Sequence, residues 1–312
     1  MRVAILSART GWHTDQLCRA LVARGAAPQL LTYESLVARL GGSRGPYRLA
    51  AAPRGTHADL PEESEASGDD RPFAIFADAV LARIIPSGSL EQIIYRVDAL
   101  HWLEDAGVRV VNSPRAIERS VDKFYTSALL QQAGLATPET VVCERSDDAI
   151  AAFREMGDVI VKPLFGSMGL GMVRVHDEEI AWRVFRALDA IRGVYYLQRT
   201  IDHGGRDVRA FVVGDRVVGA IERRAVESGP VWRTNYSRGG AVRPLELSPA
   251  WTDMAVRAAR AVGADYAGVD LLPADDGTVY TLEVNGIPGW RGLHEATGID
   301  IAAAIVDLVV GG

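Results

Sequence analysis

The sequence predicts an α/β protein whose later part forms α+β lobes, and three observations favour this fold class. An apolar strand at Val3–Ser7 is followed by a helix and a second strand at Gln29–Tyr33, the order of a parallel βαβ unit. Beyond Pro138, short strands alternate with helices and pair locally instead of continuing a parallel sheet. Two apolar runs, Val269–Leu272 and Val279–Val284, flank an Asp-Asp-Gly turn and predict an antiparallel hairpin.

Composition narrows the class of protein. The chain has 312 residues, of which 48% are hydrophobic and 24% charged, and 31 are glycine, as is typical of a globular α/β protein. A net charge of −6 gives no basic footprint for nucleic acid, whereas local basic clusters at Arg223-Arg224 and Arg233–Arg243 indicate small anionic ligands. Because no apolar run has the length of a membrane span, we expect a cytoplasmic protein with no membrane partner. The two cysteines lack metal-ligand spacing and are interpreted as reduced thiols.

Residues 1–112 are expected to form an N-terminal domain. The βαβ opening lacks the Gly-x-Gly-x-x-Gly fingerprint of dinucleotide sites. Residues 41–71 are rich in Gly, Pro, Ser and acidic residues, which predicts an ordered start at most, followed by a flexible loop or a hairpin excursion. Further on, Ser89 can cap a helix over Leu90–Ala106. The nearby Arg83, Arg96 and Asp98 are interpreted as surface charges, with a ligand contact as the alternative.

Two further domains are predicted, a central lobe over residues 113–193 and a C-terminal lobe over residues 194–312. The central lobe begins with a helix at about Ala116–Ala133, which carries Lys123 near its middle. The C-terminal lobe begins with a strand and then a long hairpin, Val208–Val213 and Arg216–Ile221, which turns at Gly214-Asp215.

Oxygen ligands are predicted to converge on the hairpin formed by Val269–Leu272 and Val279–Val284. Glu283 and Asn285 are two residues apart and therefore share a face, and pairing back from the turn brings Asp270 within reach of that face. Two carboxylates and an amide suit Mg²⁺, which is commonly held by one or two carboxylates plus nucleotide phosphates. The residues alone leave open a solvated hairpin face with ordinary acids.

A glycine-rich segment follows a strand that ends in a lysine. The strand Val159–Lys162 leads into Gly166-Ser167-Met168-Gly169-Leu170-Gly171, whose backbone can approach phosphate oxygens because glycine lacks a Cβ. The segment is not a Walker P-loop, since the lysine precedes it and a strand follows it. A plain tight hairpin is the alternative interpretation.

The order of these elements resembles the ATP-grasp ligases, and in particular the RimK-like branch that adds glutamate or similar amino acids to carboxylates. The resemblance extends over nearly the whole chain and is carried by four motifs in family order: Asp207-Val208-Arg209, Ile221-Glu222-Arg223-Arg224-Ala225, Gly268-Val269-Asp270 and Glu283-Val284-Asn285. It implies an ATP-grasp fold with an N-terminal Rossmann-like pre-ATP-grasp domain. Gly88–Asp98 and Asn285–Leu293 are similar to the tetrahydromethanopterin:α-L-glutamate ligases. RimK itself differs after Glu-x-Asn, which argues against modification of a ribosomal protein.

The resemblance implies an acid–amino-acid ligation with ATP and two Mg²⁺ ions, Mn²⁺ being an alternative. ATP would phosphorylate a carboxylate, and the amine of L-glutamate would attack the acyl phosphate to give an amide, ADP and phosphate. Asp270, Glu283 and Asn285 are the implied metal ligands. Arg209, Arg233 and Asn235 would neutralise the transferred phosphoryl group and the oxyanion.

The remaining roles concern the nucleotide and the second substrate. The residues expected to contact ATP are Lys123, Lys162, Gly166, Ser167, Met168, Gly169, Gly171, Gln198, Arg199, Ile201 and Asp207, with Asp207 at the ribose. Relatives often carry Glu where this chain has Arg199, so that adenine contact is assigned to the backbone. Arg291 is the candidate for a carboxylate of glutamate, and Arg209 and Arg243 are weaker ones. Trp290 and Trp232 are interpreted as packing residues, with stacking on a flat acceptor as the alternative.

Two other functions stay open. A ligase of the same branch could modify a protein tail or a carrier protein, and a non-catalytic ATP-binding regulator could use the same scaffold. A complete metal-ligand set argues against the regulator. Related enzymes are often dimers or tetramers, so a homodimer or homotetramer is expected.

Overall fold

A computed structural model describes residues 1–40, 47–53, 77–166, 169–225 and 241–311. The chain divides into two compact units: one comprises Met1–Ile117 and Asp300–Gly312, and the other comprises Glu118–Ile299. The predicted division into three domains at residues 112 and 193 stays a prediction. Within the described residues, no helix is both long and apolar enough to cross a membrane.

The first unit is built on a five-stranded sheet, counted over the described residues, in the order β3-β2-β1-β4-β5. Its strands are β1 (Arg2–Leu6), β2 (Ala27–Leu40), β3 (Tyr47–Pro53), β4 (Ala79–Ala82) and β5 (Arg109–Val111), and its helices include α1 (Trp12–Ala23), α2 (Leu90–Asp105) and α9 (Ile301–Val310). All pairs are parallel except β2–β3, so the βαβ opening is confirmed. Ser89 caps α2, since its side chain accepts from Gln92 N.

Two expectations for this unit need comment. Arg83 and Arg96 are buried, so their interpretation as surface charges is wrong. The Arg96 guanidinium donates to the carbonyl of Pro86 at 2.8 Å and thereby connects α2 to the segment before it.

Strand β3 lies inside the predicted loop of residues 41–71, as one arm of a hairpin with β2. The rest of that loop falls outside the described residues.

The helix predicted over Ala116–Ala133 is two helices, α3 (Pro114–Val121) and α4 (Lys123–Gln132). Asp122 separates them because its side chain accepts a hydrogen bond from Tyr125 N at 3.0 Å and so caps α4. Lys123 is therefore the first residue of α4, and its predicted place in the middle of a helix is wrong.

The second unit contains a four-stranded antiparallel sheet, counted over the described residues, in the order β6-β9-β7-β8. Its strands are β6 (Thr140–Cys143), β7 (Val159–Lys162), β8 (Val173–Val175) and β9 (Tyr195–Arg199), and its helices are α5 (Ser146–Met156) and α6 (Glu178–Ala190). Val161 and Leu197 belong to a core with Phe153 of α5 and Phe185 of α6. Because side chains alternate along a strand, Lys162 and Gln198 lie on the other face.

A second sheet of this unit has the order β12-β11-β10-β13-β14 and is antiparallel throughout. Its strands are β10 (Arg206–Val213), β11 (Arg216–Arg224), β12 (Ala241–Pro244), β13 (Tyr266–Pro273) and β14 (Val279–Asn285), accompanied by α7 (Pro249–Val262) and α8 (Arg291–Thr297). Both predicted hairpins are confirmed, and the helices packed on locally paired strands confirm α+β lobes. Thr278 N donates to the Asp276 carboxylate in the turn between β13 and β14.

Candidate active site

A row of charged side chains crosses three strands of the second unit. Arg209 of β10 lies directly opposite Asp270 of β13, and Asp270 lies directly opposite Glu283 of β14. Asn285, two residues beyond Glu283, shares its face. The predicted convergence of the Asp270, Glu283 and Asn285 positions on one face of the hairpin is therefore present in the register.

A β-bulge shapes this end of the hairpin. Asp270 pairs with Glu283, but the next residue of β13, Leu271, pairs with Thr281, which leaves Leu282 without an opposite residue. A bulge of this kind redirects the side chains of its strand. Beside it, Gly268 faces Asn285, and a Cβ on Gly268 would lie 3.1 Å from Pro288 Cβ and 3.5 Å from Arg209 Nε. A Cβ there would crowd Pro288 and would touch Arg209 at an ordinary van der Waals distance.

Two arginines hold two buried acids on the same face. Both oxygens of Asp270 accept from Arg209, at 2.6 and 2.7 Å, and Arg223 Nη2 lies 3.0 Å from Asp270 Oδ2. Both oxygens of Asp207 accept from Arg223 at 2.7 Å. Burial would raise the pKa of Asp270, but the two arginines outweigh it and hold that pKa well below the ordinary range. Asp270 is therefore a carboxylate at neutral pH.

The donor set fits a hard divalent cation. Asp270 and Glu283 supply carboxylate oxygens and Asn285 an amide oxygen, which are the ligand types that Mg²⁺ takes. Among the described residues, no hydrogen bond or ion pair to another side chain is found for the Glu283 carboxylate, so its oxygens are available for a cation. Asn285 Oδ1 accepts from Ile287 N at 2.9 Å, which orients the amide and leaves a second lone pair. In the described ranges, no three His, Cys, Asp or Glu residues lie close enough together to hold a metal ion. The proposed set would not be found by that criterion, because its third donor is an amide.

Lys162 lies among buried polar groups on the face of the four-stranded sheet that is opposite its apolar core. Its ammonium donates to Gln198 Oε1 at 2.5 Å, and the Gln198 amide donates to Thr140 Oγ1 at 3.0 Å. Tyr196 lies directly opposite Lys162 in the sheet. Burial lowers the pKa of Lys162 to about 8, an effect that the negative charge of Glu283 partly opposes. Glu283 and Lys162 therefore interact electrostatically, although they belong to different sheets of the same unit.

Lys123 contacts the glycine-rich segment. Its ammonium donates to the carbonyls of Leu164 and Gly166, at 3.2 and 2.9 Å, and burial lowers its pKa. Gly169 and Gly171 adopt φ angles of 65° and 76°, which favour glycine. Ser167 and Met168 lie outside the described residues. Lys123 and Lys162 are the two lysines of the whole chain, against 32 arginines.

Three other arginines predicted for the site, Arg199, Arg291 and Arg243, form ion pairs with acids outside the charged row. Arg199 turns its side chain to Glu139, and its backbone amide donates to the Glu139 carbonyl, while Ile201 follows two residues later. Arg291 begins α8 and pairs with Glu295. Arg243 pairs with Glu222 across β11 and β12, and the alternation along β11 places both on the face opposite Arg223. Arg233, Asn235 and Trp232 lie outside the described residues.

Trp290 is a packing residue. It is 1% exposed and makes an edge-to-face contact with Phe211, with ring centroids 6.2 Å apart. Phe211 lies two residues along β10 from Arg209 and so occupies the same face of the sheet. Phe211 and Trp290 therefore pack beside the charged row. Because Trp290 is buried, the alternative of stacking on an acceptor is wrong for this residue.

Arg223 was missed as an individual site residue, because sequence reasoning treated it only as part of a basic cluster. A signal was available in the spacing. Asp207 and Arg209 occupy alternate positions on β10, and Arg223 lies directly opposite Asp207 on β11. Charges at alternate positions of paired strands predict a cross-strand ion pair.

We expect ADP binding to take up protons near pH 8. The ammonium form of Lys162 attracts phosphates, so affinity should be greatest below the pKa of about 8 and fall as the pH rises through it. Bound phosphates would raise this pKa, and at pH 8 about half a proton should be taken up. Calorimetric titration with ADP, without divalent cations, in two buffers of different ionisation enthalpy measures this uptake. Lys162→Arg keeps a permanent charge and should remove it, and equal uptake in both proteins contradicts the assignment.

Comparisons with known proteins agree with this architecture. A family model described as a RimK-like ATP-grasp domain matches residues 120–309. The tetrahydromethanopterin:α-L-glutamate ligase of Methanosarcina acetivorans is 36% identical over 257 residues, 74% of this chain and 79% of the relative. That of Methanococcus maripaludis is 30% identical over 313 residues, 98% of this chain and 97% of the relative.

Solved structures share the fold. The ATP-grasp ligase PsnB, complexed with a precursor variant, Mg and ADP, matches with a TM-score of 0.73 and 23% identity, covering 99% of this chain and 97% of that one. A RimK domain ATP-grasp protein from Sphaerobacter thermophilus matches with a TM-score of 0.68 and 24% identity over the full length of both chains.

The fold and the family match together define an ADP-forming carbon–nitrogen ligase of the ATP-grasp class. Such ligases join an acid to an amine. More narrowly, the chain belongs to the RimK-like ATP-grasp family. The resemblance inferred from the motifs is thereby confirmed, as is the expected ATP-grasp fold.

Proposed function

We propose that this protein uses Mg²⁺-bound ATP to join L-glutamate to a carboxylate of a small-molecule acceptor of the tetrahydromethanopterin type. The observation that carries the proposal is the Asp270–Glu283 pair, with Asn285 beside it, in the unit that also holds both lysines. The relatives of two methanogens are named for this reaction. The proposal includes two ions, which Mn²⁺ could replace, and a homodimer or homotetramer.

Phosphoryl transfer requires mainly positioning and charge neutralisation from a protein. Lys123 and Lys162 would bind the phosphates, and Gly166–Gly171 would close over them. To do so, Lys123 exchanges its bonds to the loop carbonyls for bonds to phosphate oxygens. The segment Gln198–Ile201 would meet the adenine. Asp270, Glu283 and Asn285 would hold Mg²⁺. When bound, Mg²⁺ would neutralise charge on the β- and γ-phosphates.

The negative charge that develops during the reaction would be neutralised mainly by arginines. Arg209, with Arg233 and Asn235, would neutralise the transferred phosphoryl group and the oxyanion formed when the glutamate amine attacks the acyl phosphate. Arg209 is bound to Asp270, so its guanidinium is already oriented beside the metal ligands. Both oxygens of Asp207 accept from Arg223, so a contact with the ribose would use their remaining lone pairs.

Replacing Arg291 with Ala is expected to raise the KM for glutamate by roughly tenfold or more while sparing ATP binding, because a planar guanidinium recognises a carboxylate through two hydrogen bonds. The side chain is 60% exposed and its pairing with Glu295 is a surface pair that a substrate can displace. Arg260→Ala is a matched control, since Arg260 is also 60% exposed and pairs with Asp215 on the surface. An unchanged KM in Arg291→Ala discards this role, and Arg243 is the second candidate.

The proposed reaction is tested by supplying purified protein with ATP, Mg²⁺ and glutamate, and then one candidate acceptor at a time. Phosphate release should require acceptor and glutamate together, and the product should be heavier by one glutamyl unit. Activity only on a polypeptide favours the ligase of protein tails or carriers. Nucleotide binding with no ADP release in any combination favours the regulator.

A further inference from the structure

Arg223 is buried among acids at the centre of the charged face. It is 5% exposed, and its guanidinium donates through Nε and Nη2 to the two oxygens of Asp207. Nη2 also lies 3.0 Å from Asp270 Oδ2. One planar group on β11 thus joins an acid on β10 to an acid on β13.

The result is a chain of alternating charges, Asp207–Arg223–Asp270–Arg209. Each buried carboxylate contacts a guanidinium through two hydrogen bonds, so two acids are neutralised by two arginines. Removing one buried partner would leave an uncompensated charge, which is costly. The ends of the chain differ, because Asp207 binds Arg223 whereas Arg209 lies at the site where phosphoryl transfer is proposed.

The two arginines at Asp270 therefore have different tasks. Arg209 binds Asp270 through Nε and Nη2, so its Nη1 group remains for a phosphoryl group in the proposed reaction. Arg223 is held by Asp207, so Asp270 keeps a second cationic partner and its orientation if Arg209 shifts toward that group. Groups that orient metal ligands commonly change metal affinity 10- to 100-fold when they are replaced.

We propose that Arg223 is a positioning residue that orients Asp270 for the divalent cation, and that Asp207 anchors Arg223. This inference rests on the metal role of Asp270 in the proposed function. It assigns Asp207 to the support of Arg223, in place of a contact with the ribose.

The test compares Arg223→Lys and Asp207→Asn with Arg224→Lys as a matched control. Arg224 is the next residue, on the opposite face, with a side chain that is 52% exposed. Binding of Mn²⁺ to the ADP complex is measured by electron paramagnetic resonance, which requires no turnover. ADP affinity without divalent cations is measured by calorimetry. Thermal unfolding shows whether each variant folds. If Arg223→Lys does not fold, the test depends on Asp207→Asn.

Arg223→Lys and Asp207→Asn should each weaken Mn²⁺ binding about tenfold or more and leave metal-free ADP affinity within about twofold. Combining them should weaken Mn²⁺ binding little beyond the more severe single change, because both act through Asp270. Arg224→Lys should bind Mn²⁺ like the unaltered protein.

Three results overturn the proposal. If Mn²⁺ affinity is unchanged in Arg223→Lys while the unaltered protein binds Mn²⁺ with ADP, only this inference fails. A loss of metal-free ADP affinity in Asp207→Asn, with normal Mn²⁺ binding, restores the ribose contact. If the unaltered protein binds no Mn²⁺ with ADP, the proposed metal site itself fails.

Discussion

Glu283→Gln is expected to lower the rate of ADP formation about a thousandfold. The change keeps the size of the side chain and removes one negative charge from a position directly opposite Asp270. A bound metal ion supplies several kcal/mol of charge stabilisation to phosphoryl transfer, and each factor of ten in rate corresponds to about 1.4 kcal/mol. Initial rates of ADP release at saturating ATP, measured over a range of Mg²⁺ concentrations, give the size of the effect.

The same chemical change at an exposed carboxylate provides the control. Glu179 of α6 lies on the surface and forms a pair with Arg183, so Glu179→Gln should leave the rate within about twofold. Removing divalent cations with a chelator should abolish ADP release in the unaltered protein, and restoring Mg²⁺ should recover it. If Glu283→Gln retains at least a third of the normal rate, Glu283 is not a metal ligand.

Lys162→Met is expected to weaken ADP binding by roughly 10- to 100-fold. Methionine preserves an unbranched apolar chain but removes the ammonium, and a hydrogen bond to a charged group contributes about 1.5–3 kcal/mol. The loss also removes the ammonium donor of Gln198 Oε1. Calorimetric titration with ADP at pH 7, where the lysine is charged, measures the change.

Two further variants separate charge from packing at this position. Lys162→Arg keeps the cation and should bind ADP more tightly than Lys162→Met, although it does not fit as well. Arg186→Met removes a cation from the exposed surface of α6 and should not alter binding. Equal ADP affinity in Lys162→Met and the unaltered protein would remove Lys162 from the nucleotide site.

The hairpins and the shared face of the metal ligands were predictable because they depend on local spacing. A turn with Asp-Asp-Gly sets the register, and a period of two sets the face, so Glu283 and Asn285, the proposed metal ligands, could be placed on one face from the sequence. The bulge at Leu282 could not, because it changes the pairing without a sequence signature of its own.

Long-range pairing explains the remaining differences. Arg223 and Asp207 belong to the two arms of one hairpin, but the contact of Arg223 with Asp270 joins strands that are distant in the chain, and a basic cluster does not reveal that partner. Likewise, Arg96 looked like a surface charge because its acceptor is a backbone carbonyl, which a residue pattern does not display. The break between α3 and α4 depends on one capping residue, Asp122, inside an otherwise helical pattern.

The restriction of lysine to two positions has a practical consequence. An amine-selective acylating reagent has two side-chain targets in this protein, and both belong to the candidate nucleotide site. With a pKa of about 8, a large fraction of Lys162 is an uncharged nucleophile under mildly alkaline conditions. The extent of labelling at these two residues, determined by mass spectrometry, would therefore report occupancy of the site without any assay of turnover.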